Sequence, residues 1–466
     1  MKENIFLYFT SDLHSHFENW PKIANYLEKK SAIHKQEGDQ YYLIDNGDHL
    51  DRVHPITEAY LGKVNIDFLN EAKYDVVTVG NNEGITLPPD NLYELYDKAN
   101  FEVVCGNIGT KDKVAPSWLK PYTIITTRSG IKIGVIGLTA PFHLFYEQLG
   151  WKAESPYTIL DQLLPELKEK SDIVLLLSHL GINDDEYISN HYAGIDVIIG
   201  GHTHHLFKEG NVINNTLLTA VGKYGFHVGK IQLTWDHHLK RLIRKVAVAD
   251  ELADDSDHLH TVKLLDDYND KATELLNEPV GTLKKDYEVD SFEETVLMKT
   301  LVQTLQTWTK ADCAMLNAGI LLDGLKAGVV SKGDLHRICP HPINPCKVRI
   351  SGELILEAIR MGLSKRFTEF ELKGFGFRGK QIGKMIFSNI DVHVHYGEDN
   401  HVFVKEVWIN GKPVDEDKEY EVATADMFTF GKLLPGIAAS KEKEYFMPEF
   451  IRDVLSETVK KLSKLG

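Results

Sequence analysis

The sequence predicts a layered α/β domain, with sheets inside and helices outside, followed by a second α+β domain. Three observations carry this. Strand-like and helix-like segments alternate from the start to about residue 248. The 466-residue length is more than one compact core holds. The composition then turns acidic from Asp250 to Asp257, and one helical spacing follows that ends before Pro279. The expected boundaries are 1–248 for the first domain, 249–278 for a linker helix and 279–466 for the second domain.

The elements follow from pattern. Ile5 to Ser11 is an apolar run that predicts a strand, and Trp20 to Lys30 has helical spacing. Tyr41 to Asp45 predicts the next strand, and Ile56 to Glu71 one helix. Asp75 to Gly80 is β-branched and strand-like, Asn91 to Ala99 predicts a short helix, and Phe101 to Cys105 another strand. Tyr122 to Thr127 and Ile131 to Leu138 flank Arg128-Ser129-Gly130, a hairpin signal. A helix after Pro156 precedes strands at Asp172 to Leu177 and Asp196 to Ile199. Val228 to Trp235 and Leu239 to Ala247 pair across Asp236-His237-His238. Apolar residues at Val262, Leu265, Tyr268, Ala272 and Leu275 predict the linker helix, its acidic approach being a solvated helix start. Glu293 to Trp308 predicts a helix of the second domain.

Composition excludes several classes. With 43% hydrophobic and 26% charged residues the chain reads as an ordinary globular protein. A net charge of −16 argues against nucleic-acid polymers and acidic membranes as partners. No apolar run approaches the roughly 18 residues of a membrane span. The start, Met1 to Phe9, lacks a basic region followed by a long apolar stretch and a small-residue cleavage site, which predicts a cytoplasmic protein. Cys105, Cys313, Cys339 and Cys346 form no CxxC pair and are expected to be free thiols.

Five polar clusters stand at or near the ends of predicted strands: Asp12-Leu13-His14, Gly47-Asp48, Gly80-Asn81-Asn82-Glu83, Ser178-His179 and Gly200-Gly201-His202-Thr203-His204. Sheets fix the backbone there while loops turn side chains into a shared cleft. Mixed Asp, Asn and His donors suit manganese, iron, cobalt or zinc better than calcium. Two such ions can hold a hydroxide nucleophile and clamp a phosphoryl group.

These clusters resemble the 5′-nucleotidase/UDP-sugar hydrolase family of calcineurin-like metallophosphoesterases, and in particular its cytoplasmic, YunD-like bacterial branch. The second half is similar to the family's C-terminal substrate domain at Ala311-Asp312 to Gly319, Gly333-Asp334-Leu335 to Pro340 and Ile350-Ser351-Gly352-Glu353-Leu354. The resemblance implies an α/β/β/α metallophosphoesterase domain and a 5′-nucleotidase-type α+β domain. It implies two divalent ions, manganese or zinc foremost, with iron or cobalt as alternatives. One ion would take Asp12, His14, Asp48 and His204; the other would take Asp48, Asn81, His179 and His202, with Asp48 bridging. His16 and His205 adjoin ligands in supporting positions. The implied reaction is hydrolysis of a nucleotide or nucleotide-like phosphate by a metal-held hydroxide. The types expected are 5′-nucleotidase, 2′,3′-cyclic phosphodiesterase or UDP-sugar hydrolase, in a monomer or homodimer with the substrate in a cleft between the domains.

The chain departs from the family pattern in informative places. The family's Gly-Asn-His-Glu has a transition-state His and, two positions after its Glu, an Asp that orients it. Here Asn82 and Ile85 stand at those positions. Asn donates a hydrogen bond but cannot deliver a proton. The expectation is that Asn82 contacts a phosphoryl oxygen and that His49, beside Asp48, is the candidate replacement acid. A non-catalytic nucleotide or metal sensor is the alternative. In the second domain Asn317-Ala318-Gly319-Ile320-Leu321-Leu322 carries Leu322 where the family has a substrate-gripping Arg. Arg378, in a glycine-flanked loop, is the preferred substitute over Arg337, Arg349 and Lys380. Base stacking is expected from Phe375 or Phe377 on one side. On the other side Met427 holds the usual aromatic position, with Phe428 and Phe430 beside it, and Gly431-Lys432-Leu433-Leu434 replaces the family's Gly-Gly-Asp-Gly.

Overall fold

The computed structural model describes residues 2–252, 256–397, 402–431 and 433–465. The chain divides into two compact units, Met1–Ala272 and Thr273–Gly466.

The first unit stacks two sheets. One runs, in order, Arg241–Glu251, His227–Asp236, Lys2–Thr10, Gln40–Asp45, Val76–Thr78, Glu102–Val104 and Leu119–Lys120. The other runs Asn211–Ile213, Thr216–Thr219, Val197–Gly200, Ile173–His179, Lys132–Thr139 and Tyr122–Thr126. Alternate residues of both sheets close one core: Ile5, Leu7 and Phe9 from the first meet Ile133, Val135, Leu175, Leu177 and Ile199 from the second. The opposite face of the second sheet, with Leu176 and Ile198, is covered by Ile159, Leu160, Leu164 and Leu167 of the helix Pro156–Lys170. On the first sheet Tyr8 meets Tyr26 of the helix Trp20–Glu37 edge-on. This is the expected layered architecture, helices outside and sheets within.

The strands at the centre of each sheet are parallel: Lys2–Thr10 with Gln40–Asp45, and Ile173–His179 with Lys132–Thr139 and Val197–Gly200. Their carboxyl ends therefore lie together on one edge, where α/β folds place ligands.

Several elements differ from expectation for local reasons. The helix expected over Ile56 to Glu71 is two, Pro55–Tyr60 and Lys63–Glu71. Leu61 and Gly62 interrupt it with φ of +49° and +82°. A Cβ at Gly62 would meet Leu50 Cδ2 at 2.8 Å, so the break lets the chain pass close to the Leu50 loop. The helix expected from Asn91 is Pro89–Glu94, started early by a proline in its first turn. Asp250 and Glu251 complete a strand rather than open a linker, and the Tyr26 hydroxyl donates to Asp250. The predicted acidic approach falls partly on residues 253–255, outside the described residues; the helix itself is Leu259–Leu276.

The second unit is built on a five-stranded sheet ordered Met385–Ser388, Cys313–Asn317, Glu419–Ala425, Pro345–Ser351 and Glu442–Tyr445. The helix Val296–Thr309 buries Leu297, Leu301 and Leu305. Smaller sheets pair Pro279–Leu283 with Gly328–Ser331, and Ile390–Tyr396 with Val402–Ile409. All four cysteines are free and buried. No helix among the described residues is long and apolar enough to cross a membrane.

Candidate functional site

The five clusters converge where the central strands end. After Thr10 the chain is zipped to the loop after Asp45. Asp12 N–H donates to Gly47 O at 3.0 Å, His14 N–H to Asp48 O at 2.9 Å and Ser15 N–H to His49 O at 2.9 Å. Asp12, His14, Asp48, His202 and His204 all have φ between +50° and +67°. Left-handed backbone is disfavoured for such residues and concentrates where function constrains the chain.

Glu83 locks a further loop into the same site. Its carboxylate accepts from Gly80 N–H at 2.9 Å, Asp48 N–H at 3.0 Å and Leu50 N–H at 3.0 Å. The helix Asn81–Thr86 thereby starts against Asp48, whose Oδ1 accepts Asn82 N–H at 2.7 Å. His179 ends its strand and donates Nδ1–H to Asn46 O at 2.7 Å, which turns Nε2 toward the site. Asp12 Oδ1 accepts His202 N–H at 3.0 Å and so fixes the Gly200–His204 loop.

Two donor groups result, Asp12 with His14 and His204, and Asp48 with His179 and His202; within each the donor atoms lie within 4.8 Å of one another. Asp48 Oδ2 is 3.3 Å from His179 Nε2 and 3.7 Å from His14 Nε2, between the groups. His14 Nε2 faces His204 Nε2 at 3.0 Å. His179 Nε2 and Asn81 Oδ1 are buried without a hydrogen-bond partner. Buried orphans of this kind call for a ligand, and a pair of divalent ions satisfies this donor set. The charges agree. Burial pushes Asp12 up, and it pushes His202 down to about 4. Asp48 is held below the usual carboxylate range because His179 and His14 outweigh its burial. Asp48 and Asp12 likewise outweigh burial at His179 and lift it to about 10. Bound cations would take over the charge balance that protons otherwise supply here.

The structure thus brings Asp12, His14, Asp48, His179, His202 and His204 together, and Asn81 starts the helix whose Asn82 N–H reaches Asp48. Two other expectations change. Asn82 Nδ2 lies 2.8 Å from His14 Nδ1 and 3.2 Å from Leu50 O. The side chain is turned to the back of a candidate ligand rather than to a substrate oxygen. His49 is 3% exposed, edge-on to Trp20, with Nδ1 3.2 Å from Asn65 Nδ2. Burial pushes it down to about 3, so near neutral pH it is the neutral imidazole, a poor general acid. His16 contacts Glu18, and His205 contacts Thr203.

Sequence reasoning missed Asp51, whose Oδ2 sits 3.4 Å from His14 Nδ1; its three-residue offset from Asp48 was the available signal. It also named Glu83 without seeing that it joins two loops.

In the second unit Asn317 ends a strand, fully buried, its Nδ2 donating to Ile382 O at 2.8 Å and its Oδ1 unpartnered. Arg378 N–H donates to His341 Nδ1 at 2.9 Å, and its guanidinium reaches Phe377 O at 3.3 Å. Phe377 is buried and stacks on His341, and Phe428 is buried beside Phe367. Neither ring is open to a planar ligand in this structure. Phe375, 49% exposed, lies parallel to Phe430 with ring centroids 6.3 Å apart. Met427 is core, and Lys432 lies outside the described residues. Arg337 and Arg349 pair with Asp323 and Glu442, and Lys380 is exposed.

Comparison with known proteins agrees with this geometry. Residues 7–206 match the calcineurin-like phosphoesterase model and residues 279–433 the 5′-nucleotidase C-terminal domain model. The chain is 43% identical to the metallophosphoesterase YunD of Bacillus subtilis, over 98% of this chain and 99% of that one. It is 23% identical to the trifunctional nucleotide phosphoesterase YfkN of the same organism, over 76% of this chain but only 27% of that longer protein. In fold it resembles the 5′-nucleotidase precursor of Thermus thermophilus, with a TM-score of 0.62 at 18% identity, covering 99% of this chain and 97% of the other.

Proposed function

The chain belongs to the calcineurin-like metallophosphoesterases that carry a 5′-nucleotidase-type C-terminal domain, which are metal-dependent phosphoester hydrolases, and from that premise we propose that its substrates are nucleotide-like diesters or diphosphates rather than simple nucleoside monophosphates. The observation that carries this is Asn82. An amide stands where the family has an imidazole, it is engaged with His14, and Ile85 replaces the orienting Asp.

Asp12, His14, Asp48 and His204 would hold one ion, and Asp48, Asn81, His179 and His202 the other, manganese or zinc being the best suited. When bound, such a pair supplies an activated water and neutralises charge at phosphorus. The chain's own residues orient the rest. Asn46 O fixes the His179 ring, while Asn82 and Asp51 flank the Nδ1 edge of His14. With no imidazole at position 82 and a neutral buried His49, neither group protonates a departing alkoxide. General acid help is worth about 10²–10⁴-fold for poor leaving groups and less for good ones. Hydrolysis of a nucleoside diphosphate, an aryl phosphate or a strained cyclic diester needs less of it. In the second domain Phe375 offers an open ring face for a base, and Arg378 is the cation of the same loop.

A substrate panel with manganese tests this, spanning monoesters, cyclic diesters, nucleotide sugars and an aryl phosphodiester, with Asp48→Asn as the metal-site control. The expected result is faster turnover of at least one diester or diphosphate than of AMP. AMP turning over far faster than all of them refutes the preference. Nucleotide binding with no hydrolysis of any substrate by the metal-loaded protein selects the sensor reading.

A further inference from the structure

One turn of the first unit is built into the site without a role in the reading above. It follows the strand Thr216–Thr219, and in it Gly222, Tyr224 and Gly225 have φ of +75°, +64° and +72°. A bulky aromatic side chain in left-handed backbone is a rare and disfavoured state. Here both sides of Tyr224 are pinned. Its N–H donates to Asp12 O at 2.8 Å, and its carbonyl accepts from Asn19 Nδ2 at 2.8 Å. Two residues earlier, Gly222 N–H donates to His205 O at 2.8 Å. The turn is therefore stitched to both the Asp12–His14 loop and the His202–His204 loop.

That backbone aims the Tyr224 ring at the donor cluster. Its centroid is 3.7 Å from that of His16, 6.0 Å from that of His14 and 6.5 Å from that of His204. Lys223 Nζ lies over the same ring, 4.4 Å from its centroid. A cation over an aromatic face is attracted by the ring quadrupole. Lys223 Nζ therefore stands over a ring that packs beside both His14 and His204.

We propose that Lys223 is a substrate-binding residue, its ammonium taking an oxygen of the phosphoryl or leaving group, and that Tyr224 is the positioning residue that holds it there. The proposal rests on the hydrolase reading and deepens it. An ammonium is a compact point charge with three donors, suited to phosphate oxygens. It stabilises developing charge without having to give up a proton, which fits a site where Asn82 is engaged with His14 and Leu50 O and His49 is packed away against Trp20.

The test compares Lys223→Ala, Lys223→Arg, Tyr224→Phe and Tyr224→Leu in the full-length, manganese-loaded protein. Three quantities are read: KM and kcat on an aryl phosphodiester, the competitive inhibition constant of inorganic phosphate, and manganese content. Lys223→Ala is expected to weaken phosphate by roughly 10- to 100-fold and raise KM, with manganese content unchanged. Lys223→Arg restores most of this. Tyr224→Phe keeps the ring and behaves like wild type, while Tyr224→Leu shifts in the direction of Lys223→Ala. A phosphate constant within about twofold of wild type in Lys223→Ala overturns the proposal, as does a loss of manganese that accounts for the change. Should wild type turn over no substrate, the hydrolase reading fails alone. Calorimetric binding of inorganic phosphate to manganese-loaded wild type and Lys223→Ala then decides this proposal by the same criterion.

Discussion

Asn82 is the departure from the family pattern that bears most directly on proton transfer. Its amide touches His14 Nδ1 and Leu50 O, so its work is on the orientation of a candidate ligand. Groups that orient a metal-ligating imidazole typically contribute 10–100-fold in metal affinity. Asn82→Ala is therefore expected to weaken manganese binding by about that factor, measured by titration against a competing chelator. The double variant Asn82→His, Ile85→Asp should instead raise turnover of an alkyl monoester by ~10²-fold or more and change an aryl phosphodiester by less than about tenfold. Equal gains on both substrates would show that proton donation is not what the site lacks. The sequence showed that position 82 cannot carry the proton. It could not show the direction of the amide, because that depends on how close the His14 loop comes. His49 illustrates the same limit: adjacency to Asp48 suggested chemistry, whereas packing against Trp20 makes it core.

At the scale of elements, strand ends were legible because apolar β-branched runs stop abruptly at polar clusters, as Ile173–His179 and Val197–Gly200 do. The break between Pro55–Tyr60 and Lys63–Glu71 was not, since apolar spacing continues through Leu61 and the turn fits against the Leu50 and Leu95 side chains, which are near only in space. Phe377 and Phe428 fall in the same class, for burial of an aromatic depends on its neighbours in space. How the loops hold each other is also a property of elements, and Glu83 is the test of it. One carboxylate takes three backbone N–H groups from two loops. Glu83→Gln replaces one acceptor oxygen by a donor that faces N–H groups, a change costing about 1–3 kcal/mol. The expected outcome is a lower denaturant midpoint together with weaker manganese binding. Stability and metal affinity both unchanged would mean that the loops are held elsewhere.

For the molecule as a whole, two compact units mean that one melting temperature does not describe stability, and a pH effect has to be read where it arises. Asp426 supplies one in the second unit. It stands at the exit of the strand Glu419–Ala425, 4% exposed, and burial pushes its carboxyl up to about 7 against the partial relief of backbone N–H groups. The folded state therefore binds a proton that the unfolded chain releases near pH 4. Stability from this group is fully present below about pH 4 and is lost as pH rises to about 7, beyond which nothing more is lost. A shift of this size corresponds to at most about 4 kcal/mol. Asp426→Asn keeps the shape and removes the titration. Hydrogen exchange at the backbone amides of Glu419–Ala425 reads the local unfolding free energy without requiring the two units to unfold together. The variant should gain on wild type steadily between about pH 4 and 7 and hold a constant advantage above that. An advantage that stays flat from pH 5 to 8, or that shrinks as pH rises, would place a charged, compensated carboxylate at position 426 and remove this source of pH dependence from the second domain.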